Sequence, residues 1–224
     1  MPIDRPTILL TGFGPFPSIA ANATSVLVPR IAEAAADSFA GCRIVCHVLP
    51  TEWQAGLARA ADLYRTHDPM LALHFGVSGR AKGFEIETRG RNVCARTLDA
   101  AGCLPAGSCL TSEGPEFLPA TLPAAHIVQR LRRRGIPAML SRDAGGYLCN
   151  ALLYRSQELA RGRLSPMRSG FIHLPSDLVN ERNPARGPLP GCRLNWRDVI
   201  DGGLEIIAAS LGRPAQAMRR RGSS

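Results

Sequence analysis

The chain has 224 residues and a mass of 24.0 kDa, a size that one hydrophobic core can serve, and its 45% hydrophobic content excludes wholesale disorder. No apolar run approaches the roughly 18 residues that a membrane-spanning helix needs. The 27 basic residues against 18 acidic ones leave a net charge of +9, which brings in nucleic acid as a partner to be weighed.

Met1–Arg5 leads into a short apolar stretch, Ile8–Leu10, too brief for a secretory signal core and followed by no cleavage site, so the expected address is cytoplasmic. Thr7–Thr11 reads as a first strand ending in the Gly- and Pro-rich loop Gly12–Pro17. Thr24 or Ser25 can cap a helix running to about Ala36, with Val26, Leu27, Ile31 and Ala32 at helical spacing. Arg43–Leu49 reads as a second strand; Cys42, Cys46 and His47 fall in this apolar stretch without zinc-site spacing, and no metal is expected. Thr51-Glu52-Trp53-Gln54 fits a capping box that opens a helix to about Tyr64. Met70–Phe75 is a third strand, Gly76–Gly83 a Gly-rich turn and Phe84–Arg89 a further strand. From Asn92 to Pro123 the periodicity is lost, and a loop of that length is either functional or ordered in a way the pattern hides. Pro123–Arg134 reads as a helix, Ala138–Leu140 as a strand, Leu148–Ala160 as a helix and Gly170–Leu174 as a strand. A second irregular stretch, Pro175–Cys192, precedes the last helix, Trp196–Leu211, which Asn195 can cap.

Lys82 is the one lysine; the other basic residues are arginines. Arg130, Arg132, Arg133 and Arg134 read as the solvated end of a helix, complementing its dipole. Arg219–Arg221 lie in a Gly/Ser tail, about residues 214–224, that is expected to be mobile. Neither cluster is interleaved with aromatic residues for base stacking, so no nucleic-acid partner is expected. The seven cysteines are an odd number with no small-domain disulfide framework, in keeping with a reducing compartment.

Alternating strand and helix patterns, without repeats or a linker, predict one α/β domain over residues 1–224. Its expected form is a three-layer αβα fold, a twisted and mostly parallel central sheet with helices on both faces. Parallel strands joined by crossovers bring their carboxyl ends to one edge, where ligand sites of open α/β sheets lie. That rule picks out the loop after Thr11, the turn after Phe75, the stretch before Cys149, and His173. Cys149 opens a helix after the Gly-containing turn Asp143–Tyr147, where the helix field favours a thiolate. A small core residue is the plainer alternative. His173 ends an apolar run beside Pro175 and is either a satisfied core histidine or the base that a thiol nucleophile needs. The third group, an acid or amide orienting that base, would be Glu85 or Glu87, which share one face of their strand. Gly12-Phe13-Gly14 lacks the third glycine of a dinucleotide loop, no phosphate-binding P-loop occurs, and Gly76–Arg80 lacks the second glycine of a serine-nucleophile elbow.

Thr11–Phe16, Asn22, Gly76–Arg80, Glu87 with Asn92 five residues on, Asp143–Asn150 and Phe171–Pro175 resemble, in this order and over about residues 7–176, the pyroglutamyl peptidase I (pyrrolidone-carboxylate peptidase) family. The resemblance implies a cytosolic cysteine exopeptidase that releases an N-terminal pyroglutamyl residue from peptides and uses no metal or cofactor. It makes Cys149 the nucleophile, His173 the base and Glu87 the orienting acid, choosing Glu87 over Glu85. It places Phe13, Phe16, Asn22, Gly76, Val77 and Leu148 around the lactam ring, with Asp99 and Arg91 as supporting candidates. The chain departs from the family at Val77, where many bacterial members carry glutamine, at the charged Arg89 and Arg91, and over Asn180–Trp196.

Two further readings stand beside this one. A descendant of the same fold can bind a lactam or peptide terminus without turnover, although keeping Cys149, His173 and Glu87 together argues against that. A nucleic-acid module rests on the +9 charge alone. Assembly into a homo-oligomer stays open.

Overall fold

A computed structural model describes residues 5–16, 22–163, 166–176, 178 and 194–214. Along them run β1 (Thr7–Phe13), α1 (Thr24–Ser38), β2 (Arg43–Leu49), α2 (Trp53–His67), β3 (Leu71–Ser78), β4 (Phe84–Glu87), β5 (Arg89–Arg91), β6 (Phe117–Pro119), α3 (Ala124–Arg133), β7 (Ala138–Ser141), α4 (Leu148–Arg161), β8 (Arg168–Pro175) and α5 (Trp196–Ser210). Most of the irregular stretch after Pro175, and the basic tail from residue 215, lie outside the described residues.

Six strands form the central sheet in the order β2-β1-β3-β8-β4-β7, and β5 pairs with β6 in a separate ribbon. Apolar residues on both faces of the strands require cover on both sides. Ile8, Leu10, Leu73, Ile172 and Leu174 pack with α1, α3 and α5. Leu9, Ala72 and Phe171 pack on the other side with α2 and α4. The expected three layers are therefore present. β1, β2, β3 and β8 run parallel, whereas β4 is antiparallel to β8 and parallel to β7. The stretch before Cys149 thus leaves a strand that runs against the parallel block, which strand patterns alone do not show.

Strand pairing extends two elements beyond their expected ends. β1 pairs with β2 as far as Phe13↔Leu49 and β3 with β8 as far as Ser78↔Pro175, so Gly12 and Gly76 lie in strands rather than turns. The expected strand Phe84–Arg89 breaks at Thr88: its first part joins the main sheet and β5 crosses to β6, giving order to part of the patternless region. The capping box at Thr51 does not form. The Thr51 hydroxyl donates to Gly14 O at 2.8 Å instead, and the first N–H of α2, on Trp53, donates to Asp99 Oδ2 at 2.8 Å. Neither Thr24 nor Ser25 caps α1; Thr24 lies within the helix and bonds back to Asn22 Oδ1. Asn195 does cap α5, in a reciprocal box with Asp198.

The arginine cluster at the end of α3 is a solvated end only in part, with Arg132 and Arg133 exposed. Arg130 is buried and ion-paired with the buried Glu205 of α5, Arg134 approaches the same carboxylate at 2.8 Å, and Arg132 donates to Ala138 O at 2.7 Å. These charges join α3 to α5 and to β7. Among the described residues, no helix is long and apolar enough to cross a membrane, and Cys42, Cys46, Cys94, Cys103, Cys109 and Cys149 are all free thiols.

Candidate active site

β3 and β8 run side by side to their carboxyl ends, pairing Gly76 with His173. The N-terminus of α4 meets them there. A methyl group on Gly76 would lie 2.8 Å from Phe171 Cζ and 3.0 Å from Cys149 Sγ. The absent side chain is what lets the thiol rest against the sheet. Cys149 is the second residue of α4, whose Tyr147 cap offers no side-chain bond. The first-turn N–H groups of a helix lack intrahelical acceptors, so they are free to meet a developing negative charge beside Cys149.

His173 is buried and donates Nδ1–H to Glu87 Oε1 at 2.8 Å, and Glu87 is fully buried. The Cys149 thiol acts on the same ring, and both side chains line one cleft. Burial on its own would depress the imidazole. The interactions with Cys149 and Glu87 outweigh it and push the His173 pKa up to about 10. β4 supplies Glu87 because it is antiparallel: Glu85 stands opposite His173, so Glu87 falls one step deeper, level with Phe171. Glu85 and Glu87 share the His173 face of the sheet, as their alternation implies, with Glu85 half-buried. One ligand-type atom each from Glu85, Glu87 and His173 lies within 4.8 Å of the others. Within this group His173 Nδ1 and Glu87 Oε1 are engaged with each other.

The thiol opens into a cleft of about 180 Å³. Phe13, Phe16, Asn22, Gly76, Val77 and Leu148 all line it, together with Cys149 and His173. The side chain of Asn22 is largely used inside the chain: its amide donates to Gly14 O and its oxygen accepts from Thr24. It thereby shapes the wall that carries Phe13 and Phe16. Asp99 and Arg91 are not in the lining. Asp99 accepts from the backbone N–H groups of Trp53, Ala101 and Cys103 and so fixes the start of α2. Arg91 donates its backbone N–H to Asn150 Oδ1 and approaches Asp143 at 3.6 Å.

Thr51 and Tyr147 also line the cleft and were not legible as such. The Tyr147 ring packs 6.0 Å from Phe16 and edge-on to Trp53 at 5.1 Å, completing an aromatic wall. Thr51 carried a capping signal that pointed elsewhere. Arg80 and Asp143 form the rim, 3.8 Å apart.

A thiol beside an imidazole that is hydrogen-bonded to a buried carboxylate, with helix N–H groups alongside, forms the arrangement of a cysteine-nucleophile acyl-transfer site. The pyroglutamyl peptidase family model matches residues 6–185. The chain is 31% identical over 175 residues to pyroglutamyl-peptidase 1 of Rattus norvegicus, covering 76% of this chain and 79% of that protein. It is 38% identical over 173 residues to the pyrrolidone-carboxylate peptidase of Chromobacterium violaceum, covering 75% and 77%. The crystal structure of pyroglutamyl peptidase I from Bacillus amyloliquefaciens superposes with a TM-score of 0.80 at 26% identity, over 93% of this chain and 98% of that one. This chain belongs to the pyroglutamyl peptidase family.

Proposed function

We propose that this protein is a cysteine exopeptidase that hydrolyses the amide bond after an N-terminal pyroglutamyl residue. The observation that carries the reading is the series Cys149–His173–Glu87 opening onto an aromatic-walled cleft. A pyroglutamyl ring is compact and neutral, with one N–H and one ring carbonyl. Aromatic walls at Phe13, Phe16 and Tyr147 suit its faces, and backbone groups near Gly76 and Val77 suit its polar edge.

Cys149 attacks the carbonyl that joins the ring to the next residue, and the oxyanion meets the N–H groups opening α4. His173, held by Glu87, then delivers a proton to the leaving amine, which departs as the shortened peptide. Water, deprotonated by the now neutral His173, attacks the thioester, releases pyroglutamate and returns the thiol. Each step draws on groups of this chain and water. A free thiol nucleophile suits a reducing compartment, and the cytoplasm is the compartment proposed.

The test is fluorophore release from a pyroglutamyl amide, with and without a reductant and a thiol alkylator. Turnover that requires reductant and stops on alkylation is the expected result. Folded, reduced protein that releases nothing would refute the reading and leave lactam binding without turnover.

A further inference from the structure

Glu85 is an ionisable group beside His173 that the proposed reaction does not use. It stands two residues before Glu87 on β4 and directly opposite His173 in the β4–β8 register. Residues two apart on a strand share a face, while Phe84 and Ile86 are buried among the apolar residues on the other side. Glu85, Glu87 and His173 bring one polar atom each within 4.8 Å of the others. Glu87 approaches the ring from the buried side and bonds to it through Oε1; its Oε2 is buried without a hydrogen-bond partner among the described residues. Glu85 approaches from the side that solvent reaches.

We infer that Glu85 is a second carboxylate partner of His173, a positioning residue whose charge stabilises the imidazolium across the β4–β8 strand pair. The inference rests on the reading of Cys149 and His173 as the reacting pair. The charged and titratable groups around the ring are Cys149 from α4, Glu85 and Glu87 from β4, and Arg80 from the turn after β3, which faces Glu85 and opposes it. Arg80 is itself partly offset by Asp143 at 3.8 Å. Burial raises the Glu85 pKa, with His173 and Arg80 drawing it back and Glu87 adding to the rise. A carboxylic acid remains ionised across the alkaline range in which His173 gives up its proton, so Glu85 acts there as a full negative charge. Because water reaches Glu85, salt screens it, whereas the buried Glu87 is screened far less.

The experiment has two readouts in wild type, Glu85→Gln and Glu85→Thr, each checked for folding by circular dichroism. One is the pH profile of kcat/KM on a pyroglutamyl amide. The other is the titration of the His173 ring followed by NMR in a Cys149→Ala background, with its resonance identified by loss in a His173→Gln variant. Both replacements are expected to move the alkaline limb, and the His173 titration, to lower pH by on the order of half a pH unit. The gap from wild type should shrink at high salt. A titration that stays in place, moves upward, or moves in only one of two folded variants would overturn the inference. If wild type turns nothing over, the peptidase reading fails by itself, and the NMR titration still decides the role of Glu85.

Discussion

Gly76 shows how much of the site depends on what one residue lacks. With a Cβ at position 76, Phe171 and Cys149 Sγ would be crowded at 2.8–3.0 Å, the one a buried core residue and the other part of the cleft lining. Gly76→Ala is therefore expected to displace the thiol. Such a shift costs roughly tenfold or more in kcat/KM, with an overpacking penalty of about 1–3 kcal/mol. Steady-state kinetics and a denaturant melt check both, and an alanine variant with wild-type turnover would mean that Sγ does not rest where the fold places it. Glu87 and Glu85 illustrate a different point at the same scale. Their alternation shows that they share a face, but which of them is buried depends on how β4 lies against β8.

At the scale of elements, the start of α2 is held from outside the helix. Three backbone N–H groups converge on Asp99, and Trp53, the first residue of α2, carries the edge of the aromatic wall through Tyr147. Burial would raise the Asp99 carboxyl, but those N–H bonds outweigh it and hold the pKa below the usual range. Its stabilisation is thus present above the unfolded carboxylate pKa of about 3.9 and is lost as pH falls through the lower folded value. Asp99→Asn turns an amide NH2 toward N–H donors. The expected cost is about 1–2 kcal/mol, with KM raised more than kcat is lowered because the wall moves and the reacting atoms do not. Thermal melts and kinetics on a pyroglutamyl amide test this; an unchanged KM would separate Asp99 from the wall.

The parallel elements β1, β2, β3 and β8 and the helices were legible because apolar periodicity reports burial directly. The direction of β4 and β7 was not, since strand polarity is decided by pairing partners far away in the chain. The Thr51 capping signal failed because Asp99, 46 residues beyond Trp53, supplies a stronger acceptor at that helix end. The α3 arginines misled because the buried Glu205 that neutralises Arg130 lies 75 residues away. Cys149, His173 and the pair Glu85 and Glu87 were readable as candidates from residue type and position; the choice of Glu87 and the place of Phe13 and Phe16 came only with the family resemblance, while Tyr147 and Thr51 join the cleft only through tertiary contacts.

At the scale of the whole molecule, His74 ties the layers beneath the site. Its ring lies 2.7 Å from Thr11 Oγ1 and 2.8 Å from the Tyr64 hydroxyl, which in turn reaches Ser169. This network links β1, β3, α2 and β8. Full burial lowers the His74 pKa to about 3, against about 6.5 in an unfolded chain. Between those values the unfolded chain takes up a proton that the folded one excludes. The stabilisation is accordingly whole above pH ~6.5 and drains as pH falls toward 3, with a slope of at most about 1.4 kcal/mol per pH unit from this group. His74→Gln is expected to flatten that part of the profile, as read from urea midpoints at successive pH values; an unchanged slope would show that the ring is not held neutral. The central claim, that Cys149 becomes acylated by the pyroglutamyl group, is tested most directly by rapid acid quench during turnover of a pyroglutamyl amide, followed by mass spectrometry of the peptide that carries Cys149. The expected result is the mass increment of one pyroglutamyl group on that peptide in wild type, and none in a folded Cys149→Ala variant that has also lost turnover. Turnover persisting in Cys149→Ala, or the increment on another residue, would contradict the account.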